Sequence, residues 1–330
     1  MIDRGAVRSI LLVSLDNLGD LVFASALTPP LHEAFPHSPI DVWCKRYTAP
    51  IATLVPHVRA VIAADPFWAA SPGLPRPAVL PFLRSIRQVR ANRYDLALLS
   101  QAPWRCAAAV FSAGIRTRIG FARRHNAGFL TDVLAPENTT RAVLEEQARL
   151  LAAVGIEARH LRYRLETAPL EPRRRTLAEL LPPAFVAFHP FAGSRDRCMP
   201  LTEWTQLAFA LEARRLPVLW VGTTAELNEL RTSHTHPKGA YVDQLPDASL
   251  ITTAAALSLA KAFAGHDSGP LHVAGALGVP VLGVFAPGQP ARTFPQGTGA
   301  WRMIARDTPR VIDAGTILRE LEALGLFSVA

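Results

Sequence analysis

The stretch ILLVSLDNLGD, residues 10–20, decides the fold class of this 330-residue chain. Its apolar start, residues 10–15, predicts a buried strand, and residues 20–34 predict a helix. A short buried strand that leads directly into a helix is the first half of a βαβ unit, in which the strands are parallel. We therefore expect a fold of the α/β class.

The same alternation of short apolar runs and helical segments continues through the first half of the chain. Further strands are predicted at residues 40–44, 60–63, 96–100 and 118–120, and helices at residues 79–91, 105–112 and 141–154. Residues 65–81 interrupt this rhythm with five prolines, which predicts a long loop. This loop is either a stiff connection, or a lid or acceptor-binding loop.

A second run of alternating elements follows in the other half. Strands are predicted at residues 185–189, 218–221, 262–265 and 281–285, and helices at residues 201–214, 225–233, 247–257, 269–277 and 314–324. Residues 169–183 carry three consecutive arginines and end in two prolines, so they are predicted to be a linker, with a short helix over residues 176–181 as the alternative. The expected architecture is two Rossmann-like domains, residues 1–168 and 184–330, whose parallel sheets face a central cleft.

The composition limits the classes of partner. Hydrophobic residues make up 49% of the chain, which excludes wholesale disorder. The formal net charge is +8, and 32 of the 35 basic residues are arginines, which either contact phosphate and carboxylate groups or reflect genome composition. Basic residues are not interleaved with aromatic ones along any run, so nucleic acid is not an expected partner.

Three further features predict the location of the protein. The cysteines, Cys44, Cys106 and Cys198, are far apart and lack metal-ligand spacing, which favours a reducing compartment. The apolar run near the N-terminus is too short for a signal peptide, and no stretch reaches the ~20 apolar residues that cross a bilayer. We expect a cytoplasmic protein, whose contact with the inner membrane would be peripheral.

Ligands of open α/β sheets bind outside the carboxyl ends of the strands, and three predicted strand ends carry polar motifs. The first motif is SLDNLGD, residues 14–20, which places Asp20 near the start of a helix. Asp20 is either a first-turn carboxylate that stabilises the helix N-terminus or an ionised general base directed into the cleft.

The second motif, HPFAGSRDRCMP, spans residues 189–200 and joins a strand to a helix. Its Ser194, Arg195 and Arg197 are candidates for holding phosphate oxygens. The alternative is an ordinary surface turn.

The third motif is GHDSGPLHVA, residues 265–274. A helix opens near Gly269, and its free N–H groups favour an anion. Either Asp267 or Ser268 caps this helix, or Asp267 binds ligand. Sugar hydroxyls are then its expected target, because a carboxylate would repel a diphosphate. A metal site at His266, Asp267 and His272 lacks the HExxH spacing, and a histidine near a helix start is more often structural.

Several common motifs are absent from the sequence. There is no GxxxxGK[ST] loop and no GxSxG elbow, and the first motif is not the GxGxxG of a dinucleotide site. No D-x-D pair occurs either, so the carboxylates that usually bridge a metal ion to a nucleotide diphosphate are missing.

Together and in this order, the three motifs resemble the ADP-heptose:lipopolysaccharide heptosyltransferase family. The likeness covers nearly the whole chain and is most specific at DSGPLH, residues 267–272. Further matching segments are residues 18–21, 34–36, 40–42, 118–121, 189–190, 192–194, 200–201, 204, 216–218, 221–222, 276–281 and 285–287.

This resemblance implies a GT-B fold and an inverting, metal-independent transfer of heptose from ADP-heptose to an inner-core lipopolysaccharide acceptor. It implies that Asp20 is the general base and that Asp267 contacts the donor sugar. The donor-binding residues would be Ser194, Arg197, Asp267, Ser268, Gly269 and His272.

The chain departs from the family pattern at the second motif. The family usually has a lysine before Trp-Pro, where this chain has Arg197, Cys198 and Met199, and Phe191 stands where a glycine is common. Arg197 keeps the positive charge but changes its geometry. Another nucleotide-heptose, or an acceptor other than lipopolysaccharide, therefore stays open.

The predicted partners are a nucleotide-sugar donor and an anionic glycolipid acceptor carrying Kdo or phosphate, without a cofactor or a metal. Four arginines are candidates for the acceptor site, with a solvated basic edge as the alternative: Arg116, Arg118, Arg123 and Arg124. Two other functions stay open. One is a GT-B glycosyltransferase with another donor and a protein or secondary-metabolite acceptor, and the other is a non-catalytic nucleotide-sugar-binding relative.

Overall fold

A computed structural model describes residues 4–70, 75–101, 103–232 and 239–327. The chain divides into two compact units, Met1–Leu165 and Glu166–Ala330. Each unit contains a six-stranded parallel sheet with helices, which is the α/β architecture that the sequence predicts.

The sheet of the first unit has the strand order β3-β2-β1-β4-β5-β6, and all neighbouring strands are parallel. The strands are β1 Ile10–Ser14, β2 Ile40–Cys44, β3 Val58–Ala63, β4 Leu96–Leu99, β5 Thr117–Phe121 and β6 Asp132–Leu134. The carboxyl ends of these strands form one edge, which we call the first carboxyl edge. The sequence does not predict β6, because this short edge strand is largely exposed and lacks an apolar run.

The helices of the first unit are α1 Leu18–Ser25, α2 Thr28–Ala34, α3 Ala49–Ala52, α4 Val79–Ala91, α5 Trp104–Ser112 and α6 Val143–Ala153. The single helix predicted over residues 20–34 is in fact two helices, α1 and α2. Pro29 and Pro30 lie in the first turn of α2, where their missing N–H groups are tolerated, whereas they could not continue α1.

The predicted loop at residues 65–81 lies partly outside the described residues. Its first part is anchored to the core, because the Trp68 ring contacts the Phe82 ring edge-on at 4.8 Å and Phe67 packs beside them. Its last three residues already form the start of α4. A role of this segment in acceptor binding stays a prediction.

The sheet of the second unit has the strand order β12-β11-β10-β7-β8-β9, again with parallel neighbours. The strands are β7 Val186–His189, β8 Val218–Trp220, β9 Ala240–Tyr241, β10 Ala262–His266, β11 Val281–Phe285 and β12 Trp301–Ala305. Both outermost strands, β9 and β12, escape prediction, because β9 has two residues and β12 is mostly exposed. We call the edge formed by the strand ends the second carboxyl edge.

The helices of the second unit are α7 Glu171–Leu180, α8 Leu201–Glu212, α9 Thr224–Thr232, α10 Leu250–Leu257, α11 Gly269–Ala276, α12 Pro290–Thr293 and α13 Ala314–Ala323. The helix predicted to end at Ser233 reaches beyond the described residues. The core of the second unit is aromatic near β7, where Phe188 packs edge-on against Trp204 and Trp220.

The segment predicted as a linker, residues 169–183, differs from that prediction because most of it is helical. Pro172 lies in the first turn of α7, where proline is favoured, and Leu177 is buried while α7 packs against α10. The boundary between the units falls at residue 165 instead of 168. The arginine run therefore belongs to a helix of the second unit.

Candidate active site

The first motif places Asp20 in the first turn of α1, directly after the central strand β1. Asn17 occupies the N-cap position, and its backbone N–H donates both to Asp20 Oδ2 at 3.2 Å and to Asp16 Oδ1 at 3.0 Å. Asp20 thus stabilises the helix start, as the structural alternative predicted. Its carboxyl also stays partly exposed at the first carboxyl edge, so the two roles do not exclude each other.

The electrostatic surroundings of Asp20 suit a proton acceptor. Burial and the negative charge of Asp16 raise its pKa to about 7, assisted by the charge of Glu137. The Asn17 N–H group and the Lys45 ammonium oppose this rise. A carboxyl with a pKa near the working pH is well matched to general base catalysis.

Sequence reasoning missed the two residues of the β2 end that support this helix start. Lys45 is buried, and its Nζ lies 3.5 Å from Asn17 Oδ1. The Tyr47 hydroxyl accepts a hydrogen bond of 2.9 Å from the Leu18 N–H group. Both residues directly follow β2, the parallel neighbour of β1, so the sheet order is the signal that would have found them.

The four candidate acceptor arginines do not form one group. Arg123 and Arg124 follow β5 at the first carboxyl edge, whereas Arg116 precedes β5 and Arg118 is its second residue. Arg123 Nη2 donates to Gln101 Oε1 at 2.8 Å and forms an ion pair with Glu137, the residue whose charge acts on Asp20. Of the four arginines, only Arg123 and Arg124 therefore lie at the edge that carries Asp20.

Arg118 has a structural environment. Its Nε donates to the Phe129 carbonyl at 2.7 Å, its guanidinium also donates to the Ile115 carbonyl, and it lies 5.2 Å from the centre of the Phe111 ring. These contacts hold the amino end of β5. Arg116 and Arg118 therefore lie apart from Arg123 and Arg124 along β5, and their part in acceptor binding stays a prediction.

In the second unit, the second and third motifs meet because β7 and β10 are adjacent strands. His189 is paired with Gly265 in the register of these strands, so the two following loops leave the sheet side by side. Arg197 Nη2 donates to Asp267 Oδ2 at 2.7 Å and closes the cluster across the loops. Residues 70 positions apart in sequence are thereby in direct contact.

Asp267 is held by several donors. His272 Nε2 lies 3.4 Å from Oδ1, and the Thr293 hydroxyl donates to Oδ2 at 3.1 Å. Burial acts against ionisation, but the hydrogen bond from His272 and the charges of His272 and Arg197 outweigh it, so the pKa of Asp267 is lowered. Asp267 is an ionised hydrogen-bond acceptor at neutral pH, and Thr293 is a member of this cluster that sequence reasoning missed.

Ser268 occupies the N-cap position of α11 without capping it. Its hydroxyl donates to the His266 carbonyl at 3.0 Å and lies 3.1 Å from His189 Nδ1. The N–H groups at the start of α11, from Gly269 onward, are therefore left without a partner from the Ser268 side chain. Such a helix start can bind an anion through its N–H groups and its dipole.

Two buried histidines support the loops. Burial lowers the pKa of His189 to about 4 and that of His266 to about 3, so both rings are neutral at physiological pH. His266 Nε2 accepts a hydrogen bond of 3.1 Å from the Met199 N–H group, which fixes the second motif against β10. In the described ranges, no group of three His, Cys, Asp or Glu side chains could hold a metal ion.

The rest of the second motif lies outside this cluster. Ser194 is exposed at the start of a 3-10 turn, and Arg195 forms two hydrogen bonds with Glu229, at 2.7 and 2.6 Å. Phe191 and Met199, the departures from the family pattern, are both buried, with Phe191 edge-on to His189. Of the candidates in this motif, only Arg197 contacts the third motif through its side chain.

The comparison with protein families decides the identity. A model of glycosyltransferase family 9 (heptosyltransferase) matches residues 82–309, more than two thirds of the chain. The chain belongs to this family. The matched segment contains the Arg197–Asp267 cluster, whereas Asp20 precedes it.

Curated and solved proteins agree with the assignment of this family 9 chain. It is 24% identical over 280 residues to lipopolysaccharide heptosyltransferase 3 of Escherichia coli. This match covers 81% of the chain and 80% of that protein. A family 9 glycosyltransferase structure from Veillonella parvula superposes with a TM-score of 0.82 at 16% identity, over 97% of this chain and 98% of the other.

Two Escherichia coli structures share the fold. ADP-heptose lipopolysaccharide heptosyltransferase II gives a TM-score of 0.79 at 20% identity, over 96% of this chain and 98% of that one. Heptosyltransferase WaaC with ADP gives a TM-score of 0.75 at 18% identity, over 96% of this chain and 99% of that one. The predicted GT-B fold and glycosyltransferase class are confirmed. Among the described residues of this family 9 protein, every helix is too short or too polar to cross a lipid bilayer.

Proposed function

We propose that this protein is an inverting heptosyltransferase that transfers heptose from ADP-heptose to an inner-core lipopolysaccharide acceptor without a metal ion. The observation that carries the proposal is Asp20, a carboxyl with a pKa of about 7 at the end of the central strand of the first unit. The name of the relative, lipopolysaccharide heptosyltransferase 3, supports the choice of donor and acceptor.

In the proposed reaction, Asp20 removes the proton from an acceptor hydroxyl. The resulting oxygen attacks the anomeric carbon of the heptose while the bond from that carbon to the diphosphate breaks, and ADP leaves with the electron pair. One displacement inverts the configuration, so the reaction needs no covalent nucleophile. Burial raises the pKa of Asp20, so its carboxylate is a strong enough base to accept the proton at neutral pH.

The second unit would bind the donor through the cluster of Arg197, Asp267 and the start of α11. The N–H groups at the start of α11, which the Ser268 side chain does not cap, would meet diphosphate oxygens, and Arg197 would add a positive charge beside them. Asp267 would accept hydrogen bonds from heptose hydroxyls. Because Arg197 is already paired with Asp267, it would also shield the diphosphate from that carboxylate.

Positive charge for the departing diphosphate would thus come from the chain itself. The proposal includes no metal ion and no organic cofactor, and ADP-heptose is a substrate. Ser194 and Arg195 are given no direct role at the diphosphate, because Ser194 is exposed outside the cluster and Arg195 is paired with Glu229.

An anionic acceptor would bind at the first carboxyl edge near Arg123 and Arg124. Both follow β5, and Arg123 is connected to Asp20 through the charge of Glu137. Carboxylate or phosphate groups of an inner-core glycolipid suit the paired donors of arginine. Such an acceptor places the enzyme in the cytoplasm, at the inner face of the membrane.

The proposal is tested by Asp20→Asn in an assay of ADP-heptose with truncated lipopolysaccharide acceptors. Asparagine keeps an acceptor for the Asn17 N–H group but cannot take the proton, so we expect transfer to fall by ~10²–10⁴. Donor affinity should stay unchanged. Asp313→Asn is the matched control, because Asp313 caps α13 by accepting from the Thr316 N–H group, away from both clusters.

Two results would contradict the proposal. Near-normal turnover by Asp20→Asn would remove Asp20 from the mechanism. Wild-type turnover of a different nucleotide sugar, without turnover of ADP-heptose, would assign the site to another donor.

A further inference from the structure

Helix α4 carries an unusual outward face on the first unit. Its inner side is buried through Phe82, Ser85 and Val89. On the opposite side, Leu80 is 65% exposed and Leu83 is 43% exposed. These leucines, separated by three residues, lie on one side of the helix, where no other described residue buries them.

The same side of α4 is positively charged. Arg84 and Arg87 follow the leucines at the i+4 and i+7 spacing from Leu80, and both are exposed. Between residues 66 and 94 the sequence contains five arginines and no acidic residue. Within the described residues, neither Arg84 nor Arg87 is paired with a carboxylate. We call Leu80, Leu83, Arg84 and Arg87 the α4 face.

The neighbouring helix α5 continues this character. α5 packs beside α4, and its first residue, Trp104, is 40% exposed, with the Arg105 guanidinium 4.8 Å from the centre of its ring. Helices α4 and α5 follow β3 and β4, so both begin at the first carboxyl edge. The exposed apolar residues therefore lie at the same edge of the sheet as Asp20.

We propose that the α4 face, with Trp104, docks the first unit onto the surface of a bilayer that contains anionic lipids. Two leucines and an amphipathic tryptophan enter the interface, and the arginines meet lipid phosphates. Exposed leucines alone would suit a protein partner equally well. The absence of any carboxylate from residues 66–94 is complementary to a negatively charged surface and selects the lipid bilayer.

The location of this surface has a consequence for the acceptor. A glycolipid embedded in the bilayer presents its sugar close to the membrane plane. A surface that binds lipid at the first carboxyl edge would bring this sugar to the edge that carries Asp20. This consequence rests on the proposed function, whereas the binding of lipid does not.

Lipid binding is measured by flotation of the full-length protein with vesicles of phosphatidylcholine, with and without phosphatidylglycerol, at low and high salt. We expect binding to the anionic vesicles that weakens with salt. Arg84→Gln with Arg87→Gln should reduce the partition coefficient by ~10-fold or more, because a basic residue near an anionic surface contributes about fivefold. Leu80→Gln with Leu83→Gln should reduce it by a similar factor at both salt concentrations.

Matched controls come from the second unit. Leu180→Gln with Phe209→Gln removes two apolar side chains that are 57% and 45% exposed. Arg173→Gln with Arg175→Gln removes two charges from the exposed part of α7. All changed positions are on the surface, so each variant should melt like the wild type, and both controls should keep vesicle binding.

Three outcomes would overturn the proposal. The wild type could fail to bind anionic vesicles, or the α4-face variants could bind as well as the controls. The α4-face variants could instead abolish a concentration-dependent dimer or binding of an oligonucleotide, without change in lipid binding.

A transfer assay separates this proposal from the proposed function. With an acceptor freed of its acyl chains, the α4-face variants should keep the wild-type kcat/KM, and they should lose it with acceptor embedded in vesicles. If the wild type transfers no heptose to either acceptor but still binds the vesicles through the α4 face, the proposed function fails while the docking surface stands.

Discussion

The role of Asp20 depends on one neighbour that no motif indicates, the buried Lys45. The ammonium stabilises the ionised carboxylate, while Asp16 and Glu137 destabilise it, and burial destabilises it most. The three lysines of the chain are Lys45, Lys238 and Lys261, and Lys45 directly follows β2, the parallel neighbour of β1. The Lys45 charge therefore contributes to the pH range in which Asp20 can accept a proton, together with burial, Asp16 and the Asn17 N–H group.

The pH profile of transfer tests this dependence. Activity requires ionised Asp20, so the rate should fall as the pH drops through about 7. Lys45→Met removes the charge that favours the carboxylate, so the pKa of Asp20 should rise further and the acidic limb of the kcat profile should move to higher pH. Lys261→Met, at an exposed position of the second unit, is the control. An acidic limb that stays in place in Lys45→Met would contradict the electrostatic account.

At the scale of elements, the start of α11 and the loop before α8 are proposed to bind the donor diphosphate together. Titration calorimetry with ADP should show a loss of ~10–100-fold in affinity for Arg197→Ala, since a charge-assisted hydrogen bond is lost and Asp267 loses its guanidinium partner beside the phosphates. Ser268→Ala should weaken ADP binding less. Arg195→Ala is the matched control in the same turn, because its partner is Glu229.

A dependence on the other unit would reverse this assignment. ADP affinity should not respond to Arg123→Ala. Affinity that falls with Arg123→Ala and stays constant with Arg197→Ala would place the nucleotide on the first unit.

The end of β5 carries the prediction for the acceptor. Arg123→Gln with Arg124→Gln should raise the acceptor KM several-fold, because paired hydrogen bonds to carboxylate or phosphate are lost. The effect should weaken as salt rises, and the KM of ADP-heptose should stay constant. Arg116→Gln, at the opposite end of β5, is the control. An unchanged acceptor KM at low salt would assign Arg123 and Arg124 to the solvated surface.

At the scale of the whole molecule, the proposed catalyst relies on its own cations. Arg197 and the helix N–H groups would stabilise the charge of the leaving ADP. Transfer in excess EDTA should therefore proceed at the same rate as without EDTA. The measurement is the initial rate with EDTA, before and after addition of magnesium. Loss of transfer in EDTA, restored by magnesium, would contradict the metal-free mechanism.

The sequence by itself determined the fold class, the succession of the main strands along the chain and the places where polar motifs follow them. These features are local: a short, mostly apolar run such as residues 10–14 predicts a buried strand, and Asp20 follows it six residues later in the sequence. The short strands β6 and β9 escape because they contain too few residues for a pattern. Helix α7 begins earlier than the sequence predicts, because its arginine run and the two prolines that follow it resemble a solvated linker.

Only the tertiary structure decided which of these residues act together. Strand order brings Lys45 beside Asp20, and the pairing of β7 with β10 brings Arg197 to Asp267. The extended strand β5 separates Arg118 from Arg123, because Arg118 lies near its start and Arg123 follows its end. Periodicity describes neighbours along the chain, whereas charge and hydrogen bonding act across a few ångströms of space between strands. The sequence therefore contains the site's residues, and the sheets determine their contacts and the ionisation of Asp20.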